Sequence, residues 1–137
     1  MQILKSKRLL WLSFSIILFL CCSTDVVDTL PNGLGKELKN ASKLKEVIEK
    51  NEPNYVIIDV RSDYVYKAGH IPTAINMPDG IISDMKIPPE KDNYIILYCD
   101  FGQTSKSAAK KMLKEGYPYI LAWGGIEYWP YDLESSK

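Results

Sequence analysis

Three cysteines, at positions 21, 22 and 99, and one histidine, His70, are the residues of this 137-residue chain best suited to nucleophilic or metal chemistry. The cysteines form no Cys-x-x-Cys pair and there is no second histidine, so a zinc site built within the chain is excluded. Cys99 stands apart. It follows the apolar run Tyr94-Ile95-Ile96-Leu97-Tyr98 and precedes Asp100-Phe101-Gly102-Gln103-Thr104. A continuous apolar run of that length predicts a strand buried on both faces. From Ser105 to Glu115, Ala108, Ala109, Met112 and Leu113 share one face of a predicted helix, with Gly116 as its stop. Cys99 is then the first residue past a strand, in the loop toward which the next helix directs its unpaired N–H groups. Such groups stabilise a thiolate and also cradle an anion. Gly102 lets the backbone curl so that successive N–H groups converge. These features point to a reactive thiol and away from a structural cysteine on an apolar strand.

The elements that must position this loop are legible on either side of it. From Lys36 to Lys50, Leu38, Ala41, Leu44, Val47 and Ile48 recur at helical spacing, which predicts one amphipathic helix. Pro53-Asn54 breaks the chain before a second buried strand, Tyr55 to Val60. Tyr119-Ile120-Leu121 predicts a third strand and Ala74-Ile75-Asn76 a short fourth. Strands alternating with helices argue for a parallel sheet with helices on both faces. Residues 23–35, with Pro31, Asn32, Gly33 and Gly35, predict a tether containing a short strand near Val26–Leu30.

Charge narrows the function classes. The chain carries 17 Lys+Arg and 17 Asp+Glu, with 46% hydrophobic and 25% charged residues, the profile of a globular protein. Lys5, Lys7 and Arg8 are the only charges in residues 1–22, leaving 14 basic and 17 acidic side chains in residues 23–137, a net charge of −3. That balance argues against a nucleic-acid partner. The basic stretch is followed by an uncharged run of 12 residues, Leu9 to Leu20, the length of a signal-peptide hydrophobic region and too short for a bilayer span. Its end, Leu18-Phe19-Leu20-Cys21-Cys22-Ser23, resembles the lipobox of bacterial lipoproteins, although Gly, Ala or Ser usually precedes the lipidated cysteine there. The resemblance implies export, acylation of Cys21 or Cys22, and a membrane-anchored place in the bacterial cell envelope or periplasm. An uncleaved short anchor and plain secretion are the alternatives.

Five motifs in order carry a second resemblance. Asp59-Val60-Arg61, Gly69-His70-Ile71-Pro72-x-Ala74-Ile75-Asn76, Tyr98-Cys99-x-x-Gly102-x-x-Ser105, Gly116-Tyr117 and Leu121-x-x-Gly124-Gly125-x-x-x-Trp129 resemble the landmarks of a single-domain rhodanese, a sulfurtransferase. The resemblance implies an α/β three-layer fold: a five-stranded, mainly parallel sheet between helices, over residues 36–132, with 133–137 as a polar tail. It implies that Cys99 is the catalytic sulfur carrier. Thiosulfate or a persulfide would be the donor and a thiol, including a protein thiol, or cyanide the acceptor. No metal or organic cofactor is implied. The binding loop would comprise Asp100, Phe101, Gly102, Gln103, Thr104, Ser105 and Lys106, its amides stabilising the terminal sulfur.

Two residues depart from the family pattern. Thr104 stands where arginine is frequent, and Asp100 where a basic residue is, so that its charge is expected to oppose both thiolate and anionic donor. Lys106 offers partial compensation or is simply solvated. His70 is read as a hydrogen-bonded framework residue, and Asp59 and Arg61 as fixing the loop after their strand. Gly124-Gly125 is read as a tight turn, and Trp123 and Trp129 as core or pocket wall. A cysteine phosphatase of this fold needs Cys-x5-Arg, but Ser105 occupies the sixth position after Cys99. The remaining rival is a non-catalytic rhodanese-like binding module of the cell envelope.

Overall fold

The computed structural model describes residues 27–82 and 90–136, and the expectations for residues 1–22 fall outside them. Four strands form one parallel sheet: β1 (Tyr55–Asp59), β2 (Ile75–Asn76), β3 (Tyr94–Cys99) and β4 (Ile120–Gly125), in the order β2-β1-β3-β4. The helices are α1 (Leu34–Leu38), α2 (Ala41–Glu49), α3 (Asp63–Ala68) and α4 (Gln103–Lys114). Among the described residues no helix is long and apolar enough to cross a membrane.

The strands alternate their side chains between two cores, as the two-residue period of a strand requires. Ile58, Ile95, Leu97, Cys99, Ile120 and Ala122 face Ala108, Ala109 and Met112 of α4. Ile57, Ile96, Tyr98, Leu121 and Trp123 face Leu38 of α1 and Leu44 of α2. This is the expected three-layer α/β arrangement. Among the described residues the fifth sheet position is held by an antiparallel bridge, Asp28 to Leu121. Thr29 N–H donates to Ile120 O at 2.8 Å, and Ala122 N–H donates to Val27 O at 2.8 Å.

Three boundaries differ from expectation. The predicted helix from Lys36 to Lys50 is two helices, because Asn40 adopts extended backbone and its Oδ1 accepts the Ser42 N–H at 3.0 Å. A side-chain oxygen that caps the second helix ends the first. The stretch expected as tether is folded from Val27 onward: Val27 and Leu30 are buried, and Pro31–Gly33 forms a 3-10 turn. The expected polar tail is pinned. His70 and Glu134 exchange two backbone hydrogen bonds of 2.9 Å, and Ser136 N–H donates to Lys67 O at 3.1 Å. By contrast, α4 ends where Gly116 predicts. Gly116 has φ +89°, its N–H reaches Leu113 O, and the Tyr117 N–H reaches Met112 O, which is the Schellman pattern.

Candidate active site

Cys99 closes β3 instead of following it, and is 3% exposed. The alternation that sends Tyr98 to the α1–α2 face sends the Cys99 side chain to the α4 face, under that helix's first turn. Gly102, at φ +89°, turns the chain so that its N–H donates to Cys99 Sγ at 3.0 Å. The Ser105 N–H donates to the same sulfur at 3.4 Å. Ser105 is buried, and its hydroxyl bonds to Gly102 O at 3.0 Å and to Gly124 O at 3.3 Å. One sulfur atom therefore accepts two N–H groups at the N-terminus of a 12-residue helix, a setting that supports an electron-rich sulfur.

The wall opposite the loop is the end of β4. A register shift between Leu97 and Tyr98 leaves Trp123 unmatched and sets Cys99 against Gly125. A Cβ on Gly125 would collide with the Asp100 carbonyl oxygen and stand 2.9 Å from Phe101 Cα. A Cβ on Gly102 would stand 3.4 Å from Gly124 Cα. Gly124-Gly125 is thus the end of a strand against which the cysteine loop packs, backbone on backbone, and not the tight turn expected. The Gly-Gly pair signalled permissive backbone. It did not signal the distant loop that needs the space.

The other expected loop residues separate into two groups. Phe101, Gln103 and Thr104 are exposed, and Lys106 is half-buried in the first turn of α4. Asp100 lies at the rim with its carboxylate 3.6 Å from Arg61 Nη1. The expected opposition between Asp100 and the sulfur is therefore shared with a cation.

Asp59, Arg61 and His70 form a separate framework. The Asp59 carboxylate accepts Arg61 N–H at 2.9 Å, Nε at 2.9 and 3.0 Å, and Nη2 at 2.6 Å. Nη2 also donates to Gly69 O at 2.7 Å. Burial works against the guanidinium charge, but the Asp59 hydrogen bonds and field outweigh it and raise its pKa above the ordinary value. Burial, then the field of Asp59, push the Tyr98 hydroxyl far above the usual phenol range; it accepts the Ile71 N–H at 3.0 Å. His70 Nδ1 donates to Tyr66 O at 2.8 Å and its ring stacks on Tyr66 at 3.9 Å. Trp123 and Trp129 are core, in an edge contact at 6.4 Å.

Lys39 has no counterpart among the sequence expectations. Its ammonium donates to the carbonyls of Ala122 and, at 2.6 Å, Trp123 on β4, next to the Ala122 N–H to Val27 O bond. Burial lowers its pKa, Asp28 raises it, and Lys106 lowers it further. A lone lysine at a helix end offers no pattern by which this role could be found.

Comparison with known proteins agrees with this geometry. The profile of the rhodanese-like domain matches residues 40–130. The thiosulfate:glutathione sulfurtransferase of Saccharomyces cerevisiae is 31% identical over 115 residues, covering 69% of this chain and 83% of that protein. The thiosulfate sulfurtransferase GlpE of Pseudomonas savastanoi is 28% identical over 79 residues, covering 57% and 74%. The adenylyltransferase and sulfurtransferase UBA4 of Candida albicans is 32% identical over 97 residues; the match covers 64% of this chain but only 22% of that longer protein. Among solved structures, the rhodanese-like domain protein of Staphylococcus aureus superposes with a TM-score of 0.61 at 26% identity, covering 71% of this chain and 95% of that one. The Alr3790 protein of Anabaena gives 0.63 at 26% identity, covering 70% and 81%. With the profile running from the cap of α2 to the residue after Trp129, the chain belongs to the rhodanese-like domain family.

Proposed function

We infer that the protein is a sulfurtransferase that carries sulfane sulfur on Cys99. The observation that supports this most directly is the pair of N–H groups, from Gly102 and Ser105, that converge on Cys99 Sγ. The Cys99 thiolate attacks the outer sulfur of thiosulfate or of a persulfide. The donor's S–S bond breaks, and its electron pair leaves with sulfite or with the donor thiolate. Cys99 is left as a persulfide whose terminal sulfur carries the negative charge. First-turn N–H groups of a helix have no intrahelical acceptor, so those of Gln103 and Thr104 are free to join Gly102 and Ser105 in stabilising that sulfur. An acceptor thiolate, or cyanide, then attacks the terminal sulfur and forms an S–S or C–S bond to it, while the Cys99 Sγ–S bond breaks and its electron pair returns to Cys99 Sγ. No electrons are gained or lost overall.

Exposure to thiosulfate followed by intact-mass and peptide analysis tests the reading. Addition of one sulfur atom to Cys99, removed by cyanide as thiocyanate, is expected. A protein that binds donor anions but never gains sulfur would be the non-catalytic module. Residues 1–22 support export and acylation at Cys21 or Cys22, tested by labelling cells with a palmitate analogue. Loss of label in Cys21→Ser or in Cys22→Ser identifies the acylated residue, and absence of label in the parent chain overturns the anchor.

A further inference from the structure

Two of the most exposed large side chains among the described residues stand at the mouth of the Cys99 site. Phe101 is 78% exposed and Tyr128 is 65% exposed. The Tyr128 ring and the Phe101 backbone pack against the same pair of glycines. The Tyr128 ring lies 3.5 Å from where a Gly124 Cβ would be, and Phe101 Cα lies 2.9 Å from where a Gly125 Cβ would be. Gly124 O is in turn 3.9 Å from Cys99 Sγ. A buried sulfur is therefore flanked at the surface by two exposed aromatic residues with no ring contact among the described residues. Aromatic side chains left in water beside a reacting atom give no stability to the fold, and they supply contact area to whatever approaches. The charged residues next to the rings in sequence are carboxylates, Asp100 and Glu127, both exposed.

Building on Cys99 as the sulfur carrier, the geometry points to an uncharged thiol with an apolar body as the acceptor, held against Phe101 and Tyr128 while its sulfur reaches the Cys99 persulfide. In that step the acceptor thiolate attacks the terminal sulfur, the Cys99 S–S bond breaks, and Cys99 leaves as thiolate. The products are an organic persulfide and the free enzyme. Anionic thiols meet Glu127 and the part of the Asp100 charge that Arg61 leaves unshared, and gain nothing from the rings.

The test follows discharge of the loaded protein. The full chain, purified in mild detergent, is loaded with cysteine persulfide, and loss of the sulfur adduct is timed by intact mass. Two acceptors of similar thiol acidity are compared, benzyl mercaptan and 2-mercaptoethanol. A second pair, N-acetyl-Cys-Phe-amide and N-acetyl-Cys-Ser-amide, asks whether the apolar body can belong to a peptide. The apolar member of the first pair is expected to discharge the protein about tenfold faster. Phe101→Ala and Tyr128→Ala should each bring that ratio toward one. Because the ratio is internal to each variant, partial unfolding leaves it unaltered. Preference within the peptide pair assigns the acceptor to protein cysteines, and preference in the first pair alone assigns it to small molecules. Equal rates in the parent protein, or a preference that survives both substitutions, overturn the inference while leaving Cys99 as carrier. Failure of any donor to load Cys99 removes both.

Discussion

β1 and β3 lie side by side in parallel, and each ends on a side chain that accepts an N–H from the turn that follows. Asp59 accepts from Arg61 at 2.9 Å, and Cys99 accepts from Gly102 at 3.0 Å. Locally the two turns do the same job. They part in what else reaches the acceptor. Around Asp59 a guanidinium takes up the remaining lone pairs, and its spare donor goes to Gly69 O. Around Cys99 the hydrogen-bond donors among the described residues are all backbone N–H groups, supplied by a loop and a helix start. A charge locked by side chains is framework, whereas a sulfur supported by amides alone keeps a lone pair for an incoming atom. On the proposed mechanism, reactivity in this sheet goes to the turn whose acceptor is left unfinished.

The largest expected effect tests the open turn. Cys99→Ser should abolish sulfur loading, read as loss of the mass adduct, because a serine hydroxyl at neutral pH supplies neither the nucleophile nor the leaving group. Had Cys99 been on an exposed loop, the fold would scarcely notice. At 3% exposure the swap buries a hydroxyl in place of a thiol, and a loss of about 1 kcal/mol in urea denaturation is expected. Thiosulfate-dependent loading of the serine variant would show that the sulfur carrier lies elsewhere.

The closed turn should respond in the opposite sense. Arg61→Ala leaves the Asp59 carboxylate, which is 0% exposed, without its counter-ion. Breaking a buried pair from one side costs about 3–5 kcal/mol. Denaturant midpoints should fall accordingly, while sulfur loading of the molecules that remain folded changes little. A stable Arg61→Ala protein that no longer loads would erase the distinction between the two turns and make Arg61, through Asp100, part of the chemistry.

How much of this was legible follows the range of the interactions. The strands β1 and β3 themselves and the stop of α4 come from contiguous signals: unbroken apolar runs and a glycine just past the C-cap of a helix. The cysteine loop was legible for the same reason, since Gly102 and Ser105 are three and six residues from the sulfur they serve. The break at Asn40 was missed because apolar spacing continues through it, and only the cap geometry distinguishes two helices from one. α3 was missed because it is only six residues long and none of them is fully buried, so its apolar residues make too short a repeat to read. The short strand expected near Val26–Leu30 matches the bridge of Asp28 to Leu121, but the tether around it was expected to be unpacked, because its partner β4 lies some ninety residues away and no local pattern announces where a strand will dock. The role of Gly125 is the same case at the site itself.

Gly125 therefore gives the sharper version of the comparison. A Cβ there must displace the backbone of Asp100 and Phe101, moving the amides that face Cys99 Sγ and leaving the Asp59 turn alone. Gly125→Ala should cost about 1–3 kcal/mol of stability from overpacking. A shift of the cradle by about 1 Å should slow loading by roughly a hundredfold. Near-normal loading with lowered stability would mean that the loop yields without losing its aim, and the amide cradle would then matter less than the helix that follows.

The smallest effect concerns the missing cation. Thr104 is exposed in the first turn of α4, and Thr104→Arg would add a permanent charge beside the cradle. Asp100 is drawn to Arg61 at a separation of 3.6 Å, yet its side chain is still 53% exposed, so the new guanidinium has both a donor anion and Asp100 to choose between. Exposed charge pairs are worth about 0.2–1 kcal/mol, which caps the improvement in the thiosulfate KM at roughly fivefold. Asp100→Ala should lower the same KM by removing the rim carboxylate, and the pair of substitutions should exceed either alone because the competitor for the arginine is gone. The cradle's amides are unchanged in all three variants, so single-turnover loading at saturating donor should stay constant while KM moves. A gain in the saturated rate instead would show that side-chain charge acts on the sulfur transfer itself, and that the open turn is less complete with amides alone than the comparison with Asp59 implies.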